Sequence, residues 1–284
     1  MSETPEANGR THIFQSEATV LEGHLRLPLE QEIKPQAYVQ LPEQGGYLAQ
    51  RAEKYGLEAV ISFRSAYTQV AGNRDVKEGP GWATLTTSVV AGLNVLDVLT
   101  ADRVVGQSAT EHPLEGYVPH VSFLGTRFEN LRIAGHPVEL EMDLDVLGSK
   151  PDNDAAYTTD SGLLARVTSL YDRIRGHQDL PADLGERYNR LASTLGSPEE
   201  VECSLVNRAA GGFPGPCFGH VINVPNFGKI ILARLTVKHE DFKAGTGVPE
   251  KTTLHLIMIE LKLGCAIAGR VGVVEMSTNG RSRP

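Results

Sequence analysis

The 284-residue sequence predicts a mainly β fold, a sandwich or open barrel of short antiparallel strands with an inserted helical hairpin. Three observations lead there. Between Thr84 and Val146 the chain holds four or five segments in which apolar and polar residues alternate, with almost no 3.6-residue period. Its 29 glycines and 16 prolines exceed the usual share of ~12% and fall between such segments, as turn residues do. From residue 161 to 195 the spacing becomes helical. A β-solenoid is the structural alternative, because the segments are short and glycine-punctuated, although no fixed repeat period supports it.

Taken in order, MSETPEANGR (residues 1–10) is acidic and polar and reads as a disordered tail. Residues 11–277 read as a single β-rich domain and 278–284 as a mobile tail. Thr11 to Pro28 alternates loosely and makes one or two strands broken near Glu22-Gly23. Ile33 to Leu41 contains Pro35, which cannot donate to a ladder and marks an edge strand. After Gly45-Gly46, Leu48, Ala52 and Tyr55 fall on one helical face ended by Gly56, so a short helix is expected. Leu57 to Val70 returns to period two, and Ala71 to Gly81 is a polar loop. Thr84 to Gly92 and Asn94 to Ser108 pair as a hairpin turning near Gly92. In the second of these segments, Val98, Thr100, Asp102, Val104 and Gly106 share a face of mixed polarity, as in a sheet buried on one side. Further strands cover His120 to Leu124, Thr126 to Ile133 and Val138 to Val146.

The helical segment places Leu164, Val167, Leu170, Tyr171 and Ile174 on one face, with Asp160 or Ser161 as N-cap. A second helix carries Leu184, Tyr188 and Leu191. From Glu199 the β pattern resumes, closing with a hairpin around Ala266 to Gly269. Along TTLHLIMIELKLG, the set His255, Ile257, Ile259, Leu261 and Leu263 is the more apolar and is expected to face the core.

A net charge of −8 and a pI near 5.6 argue against a general nucleic-acid binder, which needs a basic surface to release counterions. No stretch reaches the ~18 apolar residues of a membrane helix. Cys203, Cys217 and Cys265 are odd in number and form no CxxC pair. With no secretory h-region at the start, a reducing cytoplasm is the expected compartment.

Two stretches carry a resemblance. TRFENLRIAGHPVEL presents Asn130, Leu131, Gly135, Pro137 and Val138, and VINVPNFGKIILARLTV presents Asn223, Pro225, Gly228, Ile230 and Leu232. With VVAGLNVLDVLTADRVVGQS upstream and the closing hairpin downstream, this layout resembles the choice-of-anchor P proteins over about half of the chain. Those are exported bacterial proteins, and the resemblance implies a mostly β fold. It implies no activity or catalytic residue. The family's export signal and anchor segment have no counterpart here, so a surface location does not carry over.

The sharpest local pattern is ELEMDLD, which sets Glu139, Glu141, Asp143 and Asp145 at strict period two on one face of a strand. Such carboxylates suit a hard cation, with Ca²⁺ the ion to expect if any is held and Asp152 and Asp154 assisting. They would also serve as the acid pair of a hydrolase. The plainer reading is a solvated outer face. No DxDxDG loop accompanies them, and no cofactor is expected. The histidines show no zinc spacing, and His120 and His136 flank the central strands. Cys217, three residues before His220, is the one Cys–His proximity, and a half-buried loop thiol is its plainer reading. No GxSxG, P-loop or GxGxxG motif is present. The expected function is therefore non-catalytic binding or self-assembly, with no nucleic-acid or membrane partner. The partner surface would be the helical hairpin 161–195 or an edge strand. The alternative is a hydrolase or metal-assisted enzyme using Glu139, Glu141, Asp143 and Asp145 with His120 or His136.

Overall fold

The computed structural model describes residues 11–28, 30–76, 79–196, 199–240, 251–264 and 266–283. The expected disordered tail, residues 1–10, and Cys265 lie outside them. The first strands are β1 (Thr11–Ile13), β2 (Ser16–Leu27), β3 (Gln31–Gln36) and β4 (Val39–Gln40). A long meander follows, made of β5 (Gly46–Leu57), β6 (Ile61–Val76), β7 (Gly79–Val95) and β8 (Leu99–Pro113). Then come five short strands: β9 (His120–Ser122), β10 (Arg127–Glu129), β11 (Arg132–Ile133), β12 (His136–Pro137) and β13 (Glu139–Met142). Helices α1 (Ser161–Arg175) and α2 (Ala182–Thr194) form the expected insertion. The chain then adds β14 (Glu200–Ser204), β15 (Val206–Ala210), β16 (Cys217–Phe218) and β17 (Val221–Val224). It closes with β18 (Gly228–Glu240), β19 (Lys251–Gly264), β20 (Ala268–Thr278) and β21 (Arg281–Arg283).

The architecture is the predicted β-sandwich. An eight-stranded antiparallel sheet runs β12-β11-β8-β7-β6-β5, with β9 and β10 also on β8. A nine-stranded sheet runs β16-β17-β18-β19-β20-β2-β3, with β14 on β18 and β4 on β2. Hydroxyls join the layers: Ser88 Oγ donates to the carbonyl of Thr19, and Ser16 Oγ meets Thr86 Oγ1 at 2.5 Å. Gly106 lets the sheets approach, since a Cβ there would lie 2.8 Å from Val274 Cγ1 and 2.9 Å from Met276 Cε. The apolar stripe of α1, with Leu163 in place of Leu164, is buried together with Leu184 and Tyr188 of α2. That stripe belongs to the core. No helix among the described residues is long and apolar enough to cross a membrane.

Several expectations are corrected. The segment read as a helix after Gly45-Gly46 is strand β5, exposed along nearly its whole length on both faces. With neither face buried, no period-two selection acts on it, and its few apolar residues mimic a helical stripe. The central strands are long rather than short, and β7 runs straight through Gly92. The real turn is at Leu96 and Asp97, with φ of 55° and 53°, where the amide of Asn94 bonds Asp97. Two positive-φ central residues are the geometry of a type I′ hairpin turn, usually signalled by Asn-Gly, and here neither is glycine. The segment expected as a mobile tail holds β21, paired with β1 from Thr11↔Arg283 to Ile13↔Arg281.

A row of kinks crosses each sheet. In the first, Lys54 (φ 50°) and Gly92 (φ 66°) lie on alternate strands, level with Arg64 and Asp102. In the second, Val274 (φ 57°) and Ala233 (φ 45°) lie level with Met258 and Val20. The buried parity switches across each row. Ile61 and Phe63 are buried on one side of it, and Ala66, Thr68 and Val70 on the other.

Candidate functional site

Helix α1 is started by Asp160, whose carboxylate accepts the N–H of Leu163 at 2.7 Å. One face of the helix is core. A second face carries Arg166, Ser169 and Arg173, with His177 just beyond the helix. At ~1.5 Å rise per residue these span about 16 Å. Opposite them runs β15, held between β13 and the Cys217–Gly219 turn, where Ala209 N–H bonds the carbonyl of Gly219 at 2.9 Å.

Between α1 and β15 lie two adjoining cavities. One, of about 460 Å³, is lined by Asp143, Arg166, Ser169, Arg173, Cys203 and Asn207 among others. The other, of about 370 Å³, shares Leu170, Arg173 and Asn207 with it and adds His177, Arg208 and Cys217. Together they form one groove of the size of small-molecule sites, ~300–1,000 Å³. Arg166 is oriented by its Nε, which donates to the carbonyl of Val146 at 2.8 Å. Among the described residues, neither Arg173 nor Arg208 has a carboxylate within ion-pair distance. In a chain of net charge −8, the groove thus collects three guanidinium groups against one carboxylate, Asp143.

Two thiols line the groove, Cys203 and Cys217. Cys217 Sγ donates to the carbonyls of Ala209 and Gly219 at 3.2 and 3.3 Å, and burial pushes its pKa up to about 11. Burial pushes the Cys203 thiol up to about 12. His220 does not pair with Cys217. It is buried, bonds Tyr188 Oη through Nε2 at 3.2 Å, and is kept neutral by desolvation and by Arg187, Arg234 and Arg173.

The carboxylate ladder expected from Glu139 to Asp145 is broken. Strand β13 ends at Met142, so Glu139 and Glu141 alone stand at period two on a strand, both exposed. Asp143 enters a turn, where its Oδ1 accepts the N–H of Asp145 at 3.1 Å. Of the four carboxylates, only Asp143 reaches the groove. Asp154 holds a loop by accepting the N–H groups of Tyr117 and Val118 at 2.6 and 2.8 Å. Among the described residues, no three His, Cys, Asp or Glu side chains converge as a metal-holding group. His120 is registered at Glu111 on β8, whereas the hairpin bearing His136 is registered at Leu99. Twelve residues at ~3.3 Å put these positions about 40 Å apart, too far for a shared site.

A smaller cavity, of about 280 Å³, opens on the outer face of the nine-stranded sheet and is lined by Glu22, Arg234, His255, Glu260, Arg270 and Glu275 among others. Most of its charges satisfy one another. His255 Nε2 is 2.6 Å from Glu275 Oε1, and Arg234 Nε is 2.6 Å from Glu260 Oε2. The ladder continues through Arg234–Glu202 at 3.7 Å to Arg187 of α2 at 2.6 Å, fastening the insertion to the sheet.

Sequence reading missed the cationic face of α1. Its signal was present as Arg166, Arg173 and His177 at i, i+7 and i+11, but its meaning depends on Asn207 and Arg208, which only the fold brings opposite. No curated protein and no solved structure matches the chain. The family described as Domain of unknown function (DUF8256) matches residues 12–238, most of the sandwich and the whole helical insertion, and the chain belongs to that family.

Proposed function

We propose that the chain is a binding protein that holds a small organic anion, a carboxylate or phosphate ester, in the groove between α1 and β15. The observation that carries this reading is the pair of guanidinium groups, Arg173 and Arg208, which line a groove of ligand size without a carboxylate partner. Arg166 and His177 extend the donor set, and Asn207 adds an amide between them. A planar guanidinium recognises carboxylate and phosphate oxygens in two-point fashion. Raised thiol pKa values favour binding over thiol chemistry at this place.

The test is thermal unfolding with citrate or inorganic phosphate as probes, at low and at moderate salt. Citrate should raise the midpoint of the parent protein, since a ligand held by the folded state alone stabilises it by about 2.7 kcal/mol at a hundred times its Kd. The gain should vanish in R173A/R208A. An equal gain in that variant would refute the groove.

A second reading rests on the outer cavity, where the His255–Glu275 pair sits with Glu22. Burial, with Glu275 and Glu17 nearby, raises the pKa of the Glu22 carboxyl. This is an acid–base arrangement such as hydrolysis requires. Turnover of an activated ester that is lost in H255Q, from a parent that citrate does not stabilise, would favour it over the first reading.

A further inference from the structure

We propose that the free edge of β5 pairs with β5 of a second copy, antiparallel and centred on Ala52, joining two eight-stranded sheets across a two-fold axis. Among the described strands, the other ends of the two main sheets are closed by short pieces. Strands β12 and β16 have two residues each, and β3 has six and contains Pro35. Short strands and proline are the usual protection of an edge. Strand β5 is the exception, with twelve residues bonded only to β6. Tyr47 is 61% exposed on it and Leu48 42%.

Symmetry and charge then select a register. A two-fold axis normal to an antiparallel pair passes through a directly opposed pair, so one residue must face its own copy. Centring on Arg51, Glu53 or Lys54 opposes like charges, which is destabilising. Centring on Ala52 sets Arg51 opposite the partner's Glu53 and Glu53 opposite the partner's Arg51. Arg51 and Glu53 already lie on one exposed face, 2.8 Å apart within the strand.

The kink at Lys54 bounds the shared ladder, because Arg51 and Glu53 before it face outward and Tyr55 beyond it stacks on Phe63 toward the core. In both sheets, a positive-φ residue stands level with ordinary residues on its neighbours. Val274, at φ 57°, is flanked by paired strands on both sides. In the proposed register Lys54 faces Gln50, an ordinary strand residue.

Native mass spectrometry and light scattering on the full chain test the proposal through R51E and the exchange variant R51E/E53R. Both positions are exposed, and circular dichroism checks that the fold is kept. The parent should be a dimer, R51E should dissociate at about tenfold or more higher concentration, and R51E/E53R should return to the parent's affinity. Amide exchange along residues 46–57 should slow as the dimer forms. A monomeric parent, an R51E dimer of parental affinity, a charge exchange that restores nothing, or exchange along 46–57 indifferent to concentration would each overturn the β5 interface.

Discussion

Changing Glu260 to Gln should remove about 3 kcal/mol of stability at pH 7. Glu260 is 1% exposed, with Oε2 at 2.6 Å from Arg234 Nε and Oε1 at 2.8 Å from Arg270. Burial alone would raise its pKa, but Arg234, Arg270 and Lys262 outweigh burial and hold the carboxyl below the usual range. Glutamine keeps the shape and removes the charge, leaving the Arg234 side chain, 10% exposed, beside a neutral acceptor. Breaking a buried pair from one side costs about 3–5 kcal/mol. The low end applies because Arg234 keeps Glu202, while Arg270 is 62% exposed and can turn to water. Urea unfolding of parent and variant, compared by midpoint at constant m, gives the difference. Its pH dependence is a second check. A depressed folded pKa gives stability that is complete above the unfolded value of 4.5 and is lost as pH falls through the folded one. The gap should therefore be constant well above pH 4.5 and narrow as pH falls below it. A gap below about 1 kcal/mol at pH 7 would place this ladder among exposed ion pairs and refute the reasoning.

Three further outcomes are expected. Desolvation lowers His112 to about 3, with His12 beside it adding to the shift, and desolvation lowers His220 to about 3. The unfolded chain takes up these protons below ~6.5 and the folded chain does not, so each histidine should cost about 2 kcal/mol on going to pH 5. His12, lowered to about 4 by desolvation, adds a third such loss, so urea midpoints at pH 7 and 5 should show the sum and H220Q should flatten it by about a third. Gly106→Val, pressing on Val274 and Met276 between the sheets, should destabilise by about 1–3 kcal/mol in the same assay. Asp154→Ala removes a carboxylate that accepts two backbone N–H groups. It should cost about 1.5–3 kcal/mol, seen as faster amide exchange at Tyr117 and Val118.

The fold class and the helical insertion were legible because both rest on burial, which writes a period into the sequence. Leu163, Val167, Leu170, Tyr171 and Ile174 recur at helical spacing because that face is core. The candidate groove was not legible, because its arginines are polar residues on a half-exposed face and carry no periodic constraint. ELEMDLD misled for the opposite reason: perfect alternation in sequence continues past Met142, where the backbone leaves the strand. Sequence spacing of carboxylates reports their geometry only while the strand lasts.

The kink rows account for the remaining errors in facing. Across each row the buried parity switches, both on the strands that carry a positive-φ residue and on the neighbours that do not, so an unbroken period of two assigns one half of the strand to the wrong side. Along β19 the expected core set began with His255 and Ile257, yet both line the outer cavity together with Glu260, which has the other parity. On β8, which holds no positive-φ residue but lies level with Gly92 at Asp102, the face of Val98, Thr100, Asp102, Val104 and Gly106 looked mixed because the buried parity switches there too. The core takes Leu99 and Ala101 on one side of Asp102, and Val104, Ser108 and Thr110 on the other. The mixed polarity therefore marked a switch between two one-sided faces. The switch also builds the outer cavity. Without it, Glu22 and Glu260 would point away from His255 and Glu275, and the cavity would keep one of its three carboxylates.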